Sequence, residues 1–491
     1  MKRNHGYISF IMCTIYLLLS VIINGCGDCD SIDKEKSFYH EKILLNETFR
    51  IDIKTITATL DFEPESRYVD GEAEITFVMR PKQTRPLIHF DPGLRYDAIS
   101  EIRLNGETLD FHNAADVEIV SFEGTTQQAI EFQRELPQTV EHTLMMRYRF
   151  YVEYYLFPLP YFVSNVNDID GIGNEEVFPT INSPEELAHH NLTFRVRSDE
   201  TYSFIGSGLV TQTGSNSQQE WVLNTEREVS SYTVMWVMMP SDDVVYDKMT
   251  ISDVEVRIMS YIGGASIESA FNELKSWIPE LIENLGPFPM PRGISIFLTS
   301  LGWGMEYYGG TITDPRALNH EVFHMYFGCS TVAKTYRDSW WDEAIDVWYE
   351  DSILPGYEAI PADYRSNIVG GRSPIAVGFD TRAYDEGAHI MEAVAQEVGG
   401  REVMISFLKY VHQNYTFSPF NTMDFVTYLN DYTGVDMRDR FRQWLYSEEE
   451  SYYQQKISGD KQIYRVNMTP PEHILRKYGF SLSDDLPIAN Q

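Results

Sequence analysis

From residue 44 to about 250, apolar positions mostly alternate with polar ones, the period of a half-buried strand. Ile51-Asp52-Ile53-Lys54-Thr55-Ile56-Thr57-Ala58-Thr59-Leu60 is the longest such run, and Gly71 to Met79 repeats the pattern after a turn expected at Val69-Asp70-Gly71. Thr143 to Tyr155, Leu192 to Arg197 and Ser230 to Met239 read as further strands, with Asn105-Gly106 and Gly214-Ser215-Asn216 as turn residues between strands. His189-His190 reads as part of a surface loop. The pattern predicts an antiparallel β domain of saddle or sandwich type over residues 44–250.

The period changes near Asp247. Val254 to Tyr261 and Ile294 to Leu298 read as strands, and Ser266 to Leu285 as a helix with Ala270, Leu274, Ile278 and Leu281 on one face. Pro279 is expected to kink or split that helix. From Asp314 onward helical spacing dominates: Arg316 to about Cys329 (capped by Asp314, with Pro315 in the first position), Trp340 to Tyr349 (capped by Asp338-Ser339), Ala383 to Val398, Arg401 to Asn414 and Thr422 to Leu429. The fold class is α+β, with a mainly helical second domain over residues 251–450 and a polar tail over 451–491. No repeat or low-complexity tract interrupts it.

Length and composition exclude some roles. The chain has 491 residues, enough for two cores, and 43% hydrophobic content. Its formal charge of −34 argues against nucleic acid and against anionic lipid surfaces as partners.

The first 25 residues differ from the rest. Lys2 and Arg3 precede an apolar run from Ile8 to Ile23, the pattern of an export signal peptide. The run is short for a spanning helix, which needs about 20 residues. Ile23-Asn24-Gly25-Cys26 resembles the lipobox of bacterial lipoproteins, which implies lipidation at Cys26 and a tether over residues 26–43. The expectation is an exported protein, held to a membrane through lipid or an N-terminal anchor and facing the periplasm or cell exterior. A cleaved soluble form is the alternative. Of the chain's 4 cysteines, Cys13 belongs to the signal and Cys26 is the lipidation candidate, which leaves Cys29 and Cys329, too few for a disulfide framework; Cys329 reads as a small buried thiol.

The chemistry concentrates in His320-Glu321-Val322-Phe323-His324, followed by Glu343 after 18 residues. Residues four apart on a helix share a face, so both imidazoles can address one ion. By itself the pentapeptide also fits a solvated helix with two surface histidines. Glu343, among aromatic neighbours, is poorly placed for an unpaired charge and well placed as a third ligand. His320, His324 and Glu343 would leave the fourth position of a tetrahedral zinc open, as catalysis requires, and Glu321 stands where it can accept a proton from attacking water.

Two more segments complete a pattern. Gly302-Trp303-Gly304-Met305-Glu306-Tyr307 precedes the histidines, and Tyr384-Asp385-Glu386-Gly387-Ala388 opens a later helix. With these, residues 44 to 448 resemble the gluzincin zinc aminopeptidases, the aminopeptidase N family, in a short form without the large helical C-terminal domain. The resemblance implies a thermolysin-like catalytic domain and one Zn2+ per chain, held by His320, His324 and Glu343. It further implies Glu321 as general base, Tyr384 as oxyanion donor, Glu306 as the carboxylate that holds a free α-ammonium, and Gly304 and Met305 as backbone partners of a peptide substrate. The motifs also depart from the family: Trp303 and Tyr307 replace the first Gly and final Asn of GAMEN, and no clear counterpart exists for a glutamine of the β domain, for which Glu175 or Glu176 could substitute. The implied activity is hydrolysis of the N-terminal peptide bond of peptides. An endopeptidase or other hydrolase on the same fold, or a non-catalytic zinc-containing surface binding protein, are the rival readings. Oligomeric state is not readable from the sequence.

Overall fold

The structure, a computed structural model, describes residues 42–43, 49–91, 98–111, 115–122, 128–152, 161–164, 173–214, 219–300, 302–334, 338–350, 364–366, 368 and 381–446. Cys26, the export segment and the polar tail lie outside the described residues.

Alternating burial builds the N-terminal sheets. An eight-stranded sheet runs in the order 209–212, 219–230, 187–196, 51–63, 68–79, 141–151, 99–104 and 107–108. Only Leu187–Val196 beside Ile51–Glu63 is parallel; the other neighbours are antiparallel. Ile53, Ile56, Ala58, Leu60 and Phe62 face the core, while the outer face carries cross-strand ion pairs such as Arg149 with Asp70 and Arg147 with Glu72 and Glu101. Such exposed pairs add little stability, but they keep the face solvated. A four-stranded sheet (42–43, 117–122, 128–132, 87–89) and a three-stranded sheet (162–163, 236–240, 202–206) complete the β region.

Three local expectations change. The turn lies at residues 64–67, not 69–71, and the strand Tyr68–Met79 runs straight through Gly71. A side chain at Gly71 would overlap the Tyr148 ring on the neighbouring strand, so this glycine serves packing rather than turning. The segment 230–239 is split: a 3-10 turn over Ser231–Thr233 separates Gln219–Ser230 from Trp236–Pro240. His190 lies in a strand, buried, with Nε2 2.9 Å from Ser231 Oγ; it pairs with Ile56 on one side and sits at a bulge against strand 219–230 on the other, where its N–H donates to Thr225 Oγ1.

A five-stranded mixed sheet begins the second half, in the order Val244–Ile251, Val254–Tyr261, Ile294–Leu298, Gly310–Thr313 and Gly304–Tyr307. The last strand is antiparallel to its one neighbour and forms the sheet edge among the described residues. Helix α1 (Ile267–Leu285) crosses this sheet and is capped by Ser266. Pro279 lies inside it without splitting it. Among the described residues six helices follow: α2 (Leu318–Phe323), α3 (Trp340–Glu350), α4 (Asp385–Val398), α5 (Arg401–Tyr415), α6 (Thr422–Thr433) and α7 (Arg438–Leu445). Trp340, Trp341 and Trp348 are almost fully buried, and Trp341 stacks on Phe420 and Phe425 to fix α3 against the helical layer.

Helix α2 is much shorter than the expected 316–329. Asp314 does not cap it; its carboxylate accepts from Gly302 N and Arg316 N and pairs with the Arg316 guanidinium, tying the loop before the edge strand to the start of the helix. At the other end, Gly328 takes φ +117° and Cys329 N bonds back to His324 O.

Candidate metal centre and active site

The brevity of α2 does not disturb its ligand face. His324 keeps αR geometry (φ −57°, ψ −16°) and its N–H reaches His320 O at 3.3 Å, so the two imidazoles still lie on one side, edge to face with ring centres 4.7 Å apart. Helix α3 supplies the opposite wall and approaches α4 closely, since a side chain at Gly387 would collide with Ala344. It brings Glu343 Oε2 to 3.0 Å from His320 Nε2 and 3.5 Å from His324 Nε2, while the two Nε2 atoms are 3.2 Å apart. A tetrahedral zinc with bonds of about 2.0–2.1 Å requires ligand atoms about 3.3 Å from one another. The three observed separations match that face. His320, His324 and Glu343 therefore fit the ion the sequence implies, with borderline imidazole nitrogen and hard carboxylate oxygen donors suited to zinc.

Around these ligands lies a ring of carboxylates that the sequence reading did not single out. His324 Nδ1 is 2.7 Å from Asp342 Oδ1 and 3.0 Å from the Phe327 carbonyl, which together hold its Nδ1–H and turn Nε2 inward. His320 Nδ1 faces Asp346 Oδ2 at 3.2 Å and Glu350 Oε2 at 3.4 Å. Asp342, Glu343, Asp346 and Glu350 recur at helical spacing along α3, so one acidic stripe meets both histidines. Burial disfavours charged imidazoles, yet Asp346 beside His320 and Asp342 beside His324 raise both well above the ordinary histidine value. Burial likewise works against the Glu343 carboxylate, and the adjoining histidines overcome it and lower its pKa. The site strongly favours positive charge. Helical spacing within residues 342–350 was the signal that could have revealed the stripe.

The edge strand aligns the remaining groups. Gly304 and Glu306 are two apart and share a face, while Met305 and Tyr307 point into a cluster with Tyr232, Met235 and Met259. A side chain on Gly304 would overlap the Glu321 carboxylate and displace it, so glycine lets the strand pass this side chain as it stands. Glu306 is buried, with the Tyr232 hydroxyl 3.5 Å from its Oε1. Burial pushes Glu306 up to about 8 against the opposing pull of His324, and Asp342, Glu321 and Glu343 add to the rise. Trp303, just before the strand, is 43% exposed.

Tyr384 stands at the start of α4, its ring stacked on His320 and its hydroxyl donating to Glu343 Oε1 at 2.6 Å. The residues named from sequence on the metal helix, α3, α4 and the edge strand thus converge. Glu175 does not join them by any contact observed: its carboxylate accepts from Gly173 N and Asn182 Nδ2 in its own loop. Cys329 is a buried thiol whose pKa is raised, first by burial and then by Glu306.

No protein-family model matches the sequence, and no curated protein sequence does. Solved structures do match. An M1 zinc metallopeptidase from Deinococcus radiodurans superposes with a TM-score of 0.60 at 17% identity, covering 79% of this chain and 92% of that one. A variant of the same enzyme bound to a Tyr-Ser-Ala substrate gives 0.61 at 17% identity, covering 81% and 94%. Aminopeptidase A of Legionella pneumophila in complex with aspartic acid gives 0.65 at 13% identity, covering 82% of this chain and 51% of that one. The similarity spans both the β sheets and the helical layer, and at these identities it speaks to architecture: this chain has the two-part α+β fold of the M1 zinc metallopeptidases.

Proposed function

We propose that this chain is a zinc-dependent aminopeptidase that hydrolyses the N-terminal peptide bond of peptides. The observation that carries the reading is the juxtaposition of a tetrahedral ligand face with a buried carboxylate, Glu306, on a strand that is the sheet edge among the described residues. A zinc ion on His320, His324 and Glu343 would supply Lewis acidity toward the scissile carbonyl and the attacking water.

The chain's own residues account for the rest. The Gly304–Tyr307 strand offers its outer backbone to an extended peptide, which adds as a further strand. Glu306 pairs with the free α-ammonium, and this fixes the register so that the first peptide bond lies over the ligand face. Glu321, against Gly304, accepts the proton of the attacking water and returns it to the leaving nitrogen. Tyr384, a neutral phenol one hydrogen bond from Glu343, donates to the developing oxyanion when it turns from that carboxylate. Export and anchoring through Cys26 belong to the same proposal and rest on the N-terminal segment alone.

A peptide with a free amino terminus and its N-acetylated twin separate the alternatives. Chelator-sensitive cleavage of the free peptide and at least a hundredfold slower cleavage of the acetylated one is expected. Equal cleavage of both would make the chain an endopeptidase, and cleavage of neither by the zinc-loaded protein would leave a zinc-containing binding protein.

A further inference from the structure

Trp303 is the one tryptophan among the described residues that is exposed, and no step of the proposed reaction uses it. Its backbone is fixed all the same. Trp303 O accepts from Asp314 N at 3.0 Å, which extends the edge-strand ladder one residue beyond the Gly304–Thr313 pair. Just before it the chain turns away: Gly302 takes φ +83°, and its N–H donates to Asp314 Oδ2 at 3.1 Å. The indole therefore stands where the edge strand begins, 43% exposed on a tethered backbone.

Ladder parity says which part of a bound peptide meets it. In an antiparallel pair, inward and outward hydrogen bonding alternates along each strand. Trp303 bonds inward to Asp314, so Gly304 and Glu306 turn their backbone N–H and C=O groups outward, toward an added strand. Two side chains then set that strand's register. The α-ammonium lies at Glu306, and the first peptide bond lies at Glu321, which touches Gly304. The peptide thus runs antiparallel to the edge strand, from the Glu306 end toward Trp303. Its first residue falls opposite Met305, its second opposite Gly304 and its third opposite Trp303. Directly opposed residues project to the same face, so the third side chain meets the indole. Because Trp303 spends its own hydrogen bonds inward, this is a non-hydrogen-bonded pair, the kind whose side chains lie closer together.

We propose that Trp303 is a specificity-determining residue: its indole is the platform for the third residue of the substrate and selects peptides with an aromatic side chain there. The inference rests on the aminopeptidase reading above. An aromatic third residue covers exposed indole surface and adds a ring–ring contact, and glycine at the same place does neither.

Three peptides test this: Leu-Ala-Phe-Ala, Leu-Ala-Gly-Ala and Leu-Phe-Gly-Ala. Release of leucine (kcat/KM) is measured in the zinc-loaded parent, Trp303→Phe and Trp303→Ala, and peptide affinity by calorimetry in each with Glu321→Gln added to block turnover. Ratios between peptides are the readout, since a merely structural role lowers all three alike. The parent should favour Phe over Gly in third place about 10-fold in both measurements. Trp303→Phe should keep most of that ratio, and Trp303→Ala should bring it to about twofold or less. Phe in second place should gain or lose nothing with Trp303. A parent that cleaves the peptides without third-place preference, or a Trp303→Ala ratio equal to the parent's, would overturn the proposal. So would a preference that depends on Trp303 only for Phe in second place, which would mean a different register. A parent that releases leucine from none of the three would overturn the aminopeptidase reading and this inference with it.

Discussion

Gly304 and Glu321 are in direct contact: the edge strand passes so close to the proposed base that no β-carbon fits at Gly304. The strand that would bind substrate therefore also sets the position of the carboxylate. Gly304→Ala should push Glu321 aside and lower kcat by about 100-fold or more, while zinc content stays near that of the parent. Glu321→Gln should give the same pattern more severely. Metal analysis alongside turnover checks this, and a Gly304→Ala enzyme of parental kcat would refute the contact's role.

Tyr384 donates to Glu343 rather than to open space, so it is held at the ligand face before substrate arrives. Tyr384→Phe keeps the ring that stacks on His320 and loses only the hydroxyl. Its kcat should drop about 100- to 1000-fold with little change in KM, the mark of a contact made in the transition state. A rise in KM at constant kcat would assign the hydroxyl to substrate binding instead.

Stability should fall with acid through buried histidines outside the candidate ligand set. Burial lowers His89 and His190 from 6.5 to about 3 and His412 to about 4. A depressed folded-state value means the unfolded chain binds the proton more readily. The stability such a group contributes is complete above 6.5 and is lost as pH falls toward the folded value. By pH 5 the loss is about 2 kcal/mol per histidine. Melting curves of the parent and His190→Gln, both with chelator, should differ most at pH 7 and converge toward pH 5. A constant difference would mean that His190 does not titrate on unfolding.

The proposed anchoring through Cys26 has a direct assay. Cys26→Ala should move the protein from the membrane fraction to the soluble exported fraction with its peptidase activity intact. Retention in the membrane would point to an uncleaved anchor.

The sequence by itself determined what local periodicity can carry. Alternation located the strand Ile51–Glu63, and helical spacing located α3 to α6 within a few residues. The four-residue step from His320 to His324 defined one face wherever the helix ended. Glu343 was legible from its aromatic neighbours and its distance from the histidines; Glu306 and Tyr384 were legible because their spacing followed a resemblance, not because their own surroundings revealed them.

Tertiary structure decided whatever depends on a partner distant in the chain. Gly71 reads as a turn until Tyr148 from another strand occupies the space beside it. His190 reads as surface until two flanking strands bury it. Asp342, Asp346 and Glu350 read as the polar side of a helix. Only the docking of α3 against α2 turns that side inward, onto the imidazoles of His320 and His324, because carboxylates wholly or largely withdrawn from water must find positive charge.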